Sequence, residues 1–302
     1  MNKEEKPLMI PYVVYDEEQK RKQRIIYVLI GIIFVIVGAL MGASTVIAFS
    51  KEHGINFIDD NSKWNHKDMD MEQFNTVYIE VKHASVDVKT SDDGKYGIEC
   101  SLLGDEQVIE FVNEGGNLII KDMSSSNGFI SFNLFNFGVE NKITVYVPKD
   151  VYLDNLTIKG DAVDANIGQI KGAEELKISI DAGDIDVNNV SFGNVDITID
   201  AGDVDMKNVN ITKSLKTFMD AGDLDVIGKI EGDINVEIDA GDVDIETGIK
   251  SKYFNYKVSM SIGEIDVFGH EKSGFEGEIT GNHDRIYSMN IKVDMGDVTV
   301  TE

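Results

Sequence analysis

The chain has 302 residues, of which 42% are hydrophobic, and a formal net charge of −26 from 54 acidic and 28 basic side chains. This length can fill one large core or two modest ones. Such an acidic surface repels nucleic acid and anionic lipid, which argues against nucleic-acid binding and favours cations and basic partners. The one cysteine, Cys100, cannot form an internal disulfide and lies in a strand-like alternation, so we expect a buried thiol.

The N-terminal part of the chain predicts a membrane anchor. Residues 1–24 form a polar tail that ends in a basic cluster, and the 25 residues from Ile25 to Phe49 contain no charge. About 20 apolar residues cross a bilayer, so we expect one transmembrane helix, retained rather than cleaved as a signal peptide. The basic tail places the N-terminus in the cytoplasm. The prediction is a single-pass cell-membrane protein with an extracytoplasmic C-terminal domain.

The next stretches predict a linker and the start of a β-domain. Residues 50–73 are polar and indicate a stalk, and residues 74–302 carry repeated strand-like alternation. The stretch 129–137 is rich in phenylalanine. It could be a cap folded over the open end of the domain or an exposed contact site for a partner.

A heptapeptide repeat dominates the second half of the chain. Asp-Ala-Gly-Asp-Ile-Asp-Val begins at Asp181, and close or looser copies lie at 200–206, 220–226, 239–245, 261–267 and 294–300. A period of about 20 residues indicates a solenoid, and the flanking alternation of β-branched residues indicates half-buried strands. The glycine suits either a solenoid corner or a hairpin turn, and the strict period favours the corner. The predicted fold is therefore an all-β solenoid of rungs of about 20 residues, preceded by one transmembrane α-helix.

A second motif gives a resemblance. The strand Ile-Thr-Val-Tyr-Val-Pro-Lys at 143–149, an N-terminal anchor and the glycine rungs together resemble the bacterial membrane-anchored putative-adhesin family of unknown function, over about residues 75–301. The resemblance implies a β-solenoid outer domain with roles in cell-envelope stress or at the cell surface. It offers no catalytic residues to carry over.

Stacked rungs would align equivalent acidic side chains of the repeat into two ladders. Within each ladder, successive side chains would be about 4.8 Å apart. We expect one ladder of Asp184, Asp203, Asp223, Asp242, Glu264 and Asp297, and a second of Asp186, Asp205, Asp225, Asp244 and Asp266. The first four members of each are candidate calcium ligands, because calcium takes six to eight oxygen ligands. The alternative is a solvated acidic face that limits edge pairing.

One arginine outside the tail raises an enzyme hypothesis. Arg285 follows His283 and Asp284, and some parallel β-helix enzymes cleave acidic polysaccharides with an Arg or Lys base. A domain this acidic would repel such a glycan, and no phosphate loop or nucleophile elbow is present. We therefore expect a non-catalytic adhesin-like, envelope-sensing or scaffolding module, with an unknown envelope protein or surface ligand as partner. A calcium-binding surface module or, less favoured, an acidic-polysaccharide lyase are the alternatives.

Overall fold

The computed structural model describes residues 64–103, 109–123, 141–281 and 285–302, and these residues form strands almost throughout. The strands are β1 (Trp64–Met71), β2 (Thr76–Thr90), β3 (Tyr96–Leu103), β4 (Ile109–Glu114), β5 (Asn117–Asp122), β6 (Lys142–Val147), β7 (Tyr152–Gly168), β8 (Gly172–Ala182), β9 (Ile185–Asn188), β10 (Ser191–Ala201), β11 (Val204–Ala221), β12 (Leu224–Ile230), β13 (Asp233–Ala240), β14 (Val243–Glu246), β15 (Phe254–Val267), β16 (His270–Gly281), β17 (Tyr287–Met295) and β18 (Val298–Thr301). They belong to one continuous sheet.

The rungs stack in parallel, which confirms the solenoid-like part of the prediction and rules out the hairpin alternative for the glycine turn. Ala182 pairs with Ala201 of the next rung, and Ala201 pairs with Ala221. Each rung has one strand segment before the glycine and one after it. A hairpin would have produced antiparallel pairing at these positions.

The last two rungs are stacked in the reverse of their chain order. After β13 and β14 the chain skips one position, forms β15 as the terminal parallel rung, and folds β16 back antiparallel to it. It then fills the skipped position with β17 and β18, which pair with β13 and β14 on one side and with β15 on the other. This insertion accounts for the wide sequence interval between Gly263 and Gly296.

Antiparallel strands close both ends of the described stack. At the N-terminal end, β3 pairs antiparallel with β6 and β1 pairs with β3, while β4 and β5 form the hairpin next to β2. At the other end, β16 contains Gly274 at φ +114° and Glu276 at φ 55°, and its pairing with β15 is interrupted there. Bulges of this kind discourage further strand pairing at a sheet edge.

The core is filled by the inward residues of both strand segments. Leu176, Ile178 and Ile180 before the glycine, and Ile185 and Val187 after it, are each at most 2% exposed. Each fully buried aliphatic side chain contributes about 1.5–3 kcal/mol. Cys100 is 1% exposed, which confirms the predicted buried thiol.

The glycine corner requires glycine for two separate reasons. Gly222 has φ +134°, which L side chains rarely adopt, and a Cβ at this position would lie 1.9 Å from the carbonyl oxygen of Gly202. Gly241 repeats the geometry, with φ +148° and 1.8 Å to the carbonyl oxygen of Gly222. The rungs therefore approach each other at this corner more closely than any side chain allows.

The membrane part of the sequence prediction is corrected. Among the described residues the helical element is the three-residue 3-10 turn Ser251–Tyr253, and no helix there is long and apolar enough to cross a membrane, which takes about 20 residues. The transmembrane helix predicted at Ile25–Phe49, and the single-pass localisation that rested on it, are not supported and are withdrawn. Residues 1–63, including the predicted tail and anchor, lie outside the described residues, as does the phenylalanine-rich stretch 129–137. Strand β1 lies within the range assigned to the polar linker.

We predict that Gly222→Ala destabilises the protein far more than Gly269→Ala. Gly269 also has positive φ (+79°), but a Cβ there would meet nothing within 4 Å, so that change costs about 1–2 kcal/mol from backbone strain alone. Gly222→Ala adds the clash with Gly202, for a total above about 4 kcal/mol. Denaturant unfolding of both variants measures the difference. Equal losses would show that the rungs can separate at the corner without cost.

Candidate functional site

Three ladders of acidic side chains line the glycine corner of the solenoid, and we call this surface the acidic corner. The outer ladder comprises Asp161, Asp181, Asp200, Asp220, Asp239 and Asp294; the corner ladder comprises Asp164, Asp184, Asp203, Asp223, Asp242, Asp297 and Glu264; and the strand ladder comprises Asp186, Asp205, Asp225 and Asp244. In parallel strands such equivalent side chains recur about every 4.8 Å.

The corner ladder is built into the backbone hydrogen bonding. The N–H of Asp242 donates to Oδ1 of Asp223 at 2.8 Å, and the N–H of Asp223 donates to Oδ1 of Asp203 at 3.0 Å. The same bond joins every successive pair from Asp164 to Glu264. These amides point towards the preceding rung, whereas the N–H groups of the residues on either side bond to carbonyls of the following rung, as in Gly222 to Ala240 and Leu224 to Asp242.

The spatial order of the corner ladder differs from its chain order. Asp297 accepts a bond from the N–H of Glu264 and donates its own N–H to Asp242, so it lies between them. The predicted sequence of neighbours, Asp242 then Glu264 then Asp297, is corrected accordingly. The reason is the insertion of β17 and β18 beneath β15.

The strand ladder is shorter than predicted. Asp186, Asp205, Asp225 and Asp244 are register neighbours, but Thr299 pairs with Asp244 and separates it from Asp266. Lys207 donates to Asp205 at 2.9 Å, and this bond raises the pKa of Lys207. Burial raises the pKa of Asp225, and the charges of Asp205 and Asp244 raise it further.

The outer ladder was missed by the sequence analysis, although it is the first aspartate of the same repeat. Its members are exposed except Asp294, which is half-buried. Among the described residues, the side chains of Asp181, Asp200 and Asp220 form no hydrogen bond or ion pair. Burial raises the pKa of Asp239, and the charges of Asp294 and Asp220 add to the effect. The signal that identifies this ladder is its repetition in four successive copies.

The arrangement of the described acidic side chains gives no support to the calcium hypothesis. Within the described ranges, no group of three or more His, Cys, Asp or Glu side chains is arranged to hold a metal ion. In the corner ladder one carboxylate oxygen of each aspartate already accepts an amide bond. Calcium binding by the predicted aspartates stays a prediction, checked by melting the protein with calcium and with a chelator.

The lyase hypothesis gains no catalytic group from the described residues. Arg285 is exposed, and His283 and Asp284 lie outside the described residues. His83 and His270 are exposed on different rungs at opposite ends of the stack. The part of the chain that the structure describes does not bring an arginine, a histidine and an acidic cluster together.

We predict that Asp223→Ala lowers stability while Asp223→Asn does not. Alanine removes the acceptor for the Asp242 amide, which costs about 0.5–1.5 kcal/mol, whereas asparagine keeps an oxygen acceptor and removes one charge from a repelling row. Chemical denaturation of the two variants separates acceptor from charge. Equal destabilisation by both would show that the charge, and not the hydrogen bond, matters.

We predict that mild acid stabilises the protein. Because the pKa values of Asp225 and Asp239 are raised in the folded state, that state binds more protons than the unfolded chain, and stability rises as pH falls through the folded pKa towards the unfolded value of about 3.9. We therefore expect the Tm to be higher at pH 5 than at pH 7.

The control for this pH effect is the double variant Asp225→Asn/Asp239→Asn, whose Tm should change less between pH 7 and pH 5. Calorimetry of both proteins measures it. A Tm that falls steadily from pH 7 to pH 5 in the unaltered protein would contradict the assignment.

Three solved structures share features of this chain. A putative cell adhesion protein from Clostridium sporogenes is 11% identical, with 79% of this chain and 99% of that chain covered and a TM-score of 0.38. A putative adhesin from Bacteroides fragilis is 16% identical, with 79% of this chain and 97% of that chain covered and a TM-score of 0.40. A putative lipid binding protein from Parabacteroides distasonis is 15% identical, with 81% of this chain and 99% of that chain covered and a TM-score of 0.43. Likeness at this level carries no argument about the function of this chain.

The family comparison is more informative. No curated protein matches the chain. The family model described as Toastrack DUF4097 matches residues 74–168 and 162–301, the region of the stacked rungs. This confirms the resemblance to a putative-adhesin family of unknown function that the Val-Pro-Lys strand and the glycine rungs indicated. Since the two matches together span residues 74–301 of the 302, the chain belongs to the Toastrack DUF4097 family.

Proposed function

We propose that the protein is a non-catalytic, adhesin-like binding module whose acidic corner binds a partner that carries a row of basic groups. The observation that carries this proposal is the outer ladder, in which exposed carboxylates recur once per rung and Asp181, Asp200 and Asp220 have no partner among the described residues. The strand and corner ladders add negative charge beside it. An envelope protein or a surface ligand with clustered amines would fit.

The regular spacing of the ladder favours a multivalent partner. Neighbouring carboxylates about 4.8 Å apart repel by roughly 0.9 kcal/mol in water, less after screening by salt. A row of cations relieves this repulsion at several rungs at once, and each contact after the first is intramolecular. The stacked sheet holds the carboxylates in place before binding, so little ordering cost falls on the protein.

Scaffolding without a ligand is the competing function, and it predicts no dependence on the outer ladder. In that case the acidic corner serves only to keep the protein soluble and to discourage edge pairing. The two functions differ in whether neutralising the ladder changes any binding event, which an experiment can decide.

We predict that a ten-residue polylysine peptide binds the full chain and loses affinity when the outer ladder is neutralised. An extended decapeptide reaches about 33–36 Å, enough to follow six rungs. The variant Asp181→Asn/Asp200→Asn/Asp220→Asn/Asp239→Asn should bind at least about tenfold more weakly in isothermal titration calorimetry, and the affinity of the unaltered chain should fall steeply with salt.

The matched control removes four exposed charges elsewhere, through Asp92→Asn, Glu110→Gln, Glu114→Gln and Glu271→Gln. It has the same net charge as the ladder variant. Binding within about twofold of the unaltered chain is expected. Equal weakening of both variants would reduce the effect to overall charge and remove the acidic corner as a binding site.

The natural partner can be sought with a photo-crosslinking residue at Ala201, which is exposed within the acidic corner. A partner crosslinked there in intact cells should be lost when the four ladder aspartates are neutralised. The same group placed at Glu114 serves as the control position. A partner captured equally from both positions, or retained by the neutralised chain, would favour the scaffolding function.

A further inference from the structure

A depression beside the 3-10 turn Ser251–Tyr253 differs in charge from the rest of the protein. It has a volume of about 400 Å³, and we call it the basic depression. Its charged lining residues are Lys229, Lys250, Lys252 and Glu231, and Tyr253 and Ile286 lie beside them. They come from the end of β12, from the segment that leads through the 3-10 turn into β15, and from the start of β17. Three lysines and one glutamate thus line one concave surface of a chain whose net charge is −26.

The local charges are only partly neutralised. Lys229 forms an ion pair with Glu231 at 2.8 Å, whereas the side chain of Lys250 forms neither a hydrogen bond nor an ion pair with another described residue. Lys252 lies over the ring of Tyr253 at 4.9 Å, which positions its ammonium without neutralising it. Arg285, exposed and adjacent in sequence to Ile286, adds a further positive charge nearby.

The same segment already binds a carboxylate of this chain. Glu302 accepts bonds from the backbone N–H of Ser251 at 2.8 Å and from its hydroxyl at 2.6 Å. These bonds lower the pKa of Glu302, and the charges of Lys250 and Lys252 lower it further. The surroundings of the 3-10 turn therefore favour an anion, even though the protein as a whole repels one. Salt screens the charges of aspartates more than about 8 Å away, so the charges within that distance determine whether an anion binds in the basic depression.

We propose that the basic depression binds a phosphate group. Lysine binds phosphate as a compact point charge, and three lysines against one glutamate along a concave surface suit a doubly charged anion better than a single carboxylate. Ile286 is 72% exposed and Tyr253 is 38% exposed beside these lysines. A single exposed isoleucine is ordinary, but here it offers apolar contact to whatever carries the phosphate. The phosphate could be free or the head group of a lipid, and the two sources are distinguishable.

The test uses the full chain with two probes, inorganic phosphate and vesicles of phosphatidylglycerol and phosphatidylcholine. Phosphate binding is measured as a rise in Tm relative to chloride at equal ionic strength, and vesicle binding by co-flotation, with pure phosphatidylcholine vesicles as the neutral arm. The variant Lys250→Gln/Lys252→Gln should weaken binding of the responding probe at least about tenfold. The variant Lys149→Gln/Lys216→Gln removes the same charge from residues that do not line the depression and should leave binding within about twofold.

The two arms identify the source of the phosphate. If the protein responds to inorganic phosphate and Ile286→Ser leaves that response unchanged, the ligand is a free phosphate or phosphomonoester. If the protein binds anionic vesicles and Ile286→Ser weakens that binding, the ligand is a lipid head group. Both support the site. No response to either probe, or equal loss in the two lysine variants, would overturn it. None of these variants alters the acidic corner, so the outcome is independent of the polylysine experiment.

Discussion

The close approach of consecutive glycines is the constraint on which the rest of the structure depends. The carbonyl oxygen of each corner glycine lies where a Cβ of the next would be, as between Gly202 and Gly222. At this spacing the neighbouring amides reach the following rung, and the amide of the aspartate after the glycine reaches the carboxylate of the aspartate in the preceding rung. The glycine therefore determines both the stacking of the core and the spacing of the surface charges.

The stack tolerates a row of carboxylates because their mutual repulsion is small and because their oxygens accept hydrogen bonds from backbone amides. Neighbouring carboxylates repel by under about 1 kcal/mol in water, and a hydrogen bond of this kind contributes about 0.5–1.5 kcal/mol. In the corner ladder each carboxylate satisfies an amide of the next rung, so repulsion is offset locally. The outer ladder has no such compensation at Asp181, Asp200 or Asp220, and this difference is why it, rather than the corner ladder, is the candidate binding surface.

Much of the fold was readable in the repeat, and the failures have physical causes. Alternation around Gly183 predicts strands, and the 20-residue period predicts rungs, both of which the parallel register confirms. A period in the sequence does not reveal the spatial order of the rungs, so it could not predict that Asp297 lies between Asp242 and Glu264. Hydropathy alone suggested a membrane helix, a local signal that the described residues do not support.

The two charged surfaces arise from different parts of the sequence, and this separates their functions. The acidic corner is a property of the repeat, since any further copy of the heptapeptide extends it by one rung. The basic depression is formed where the repeat breaks, by the segment around Lys250 and the start of β17. Departures from a regular pattern are expected at functional sites, where their cost in stability is offset by the rest of the fold. A change at Lys250 or Ile286 can therefore alter the proposed anion site without disturbing the glycine stack.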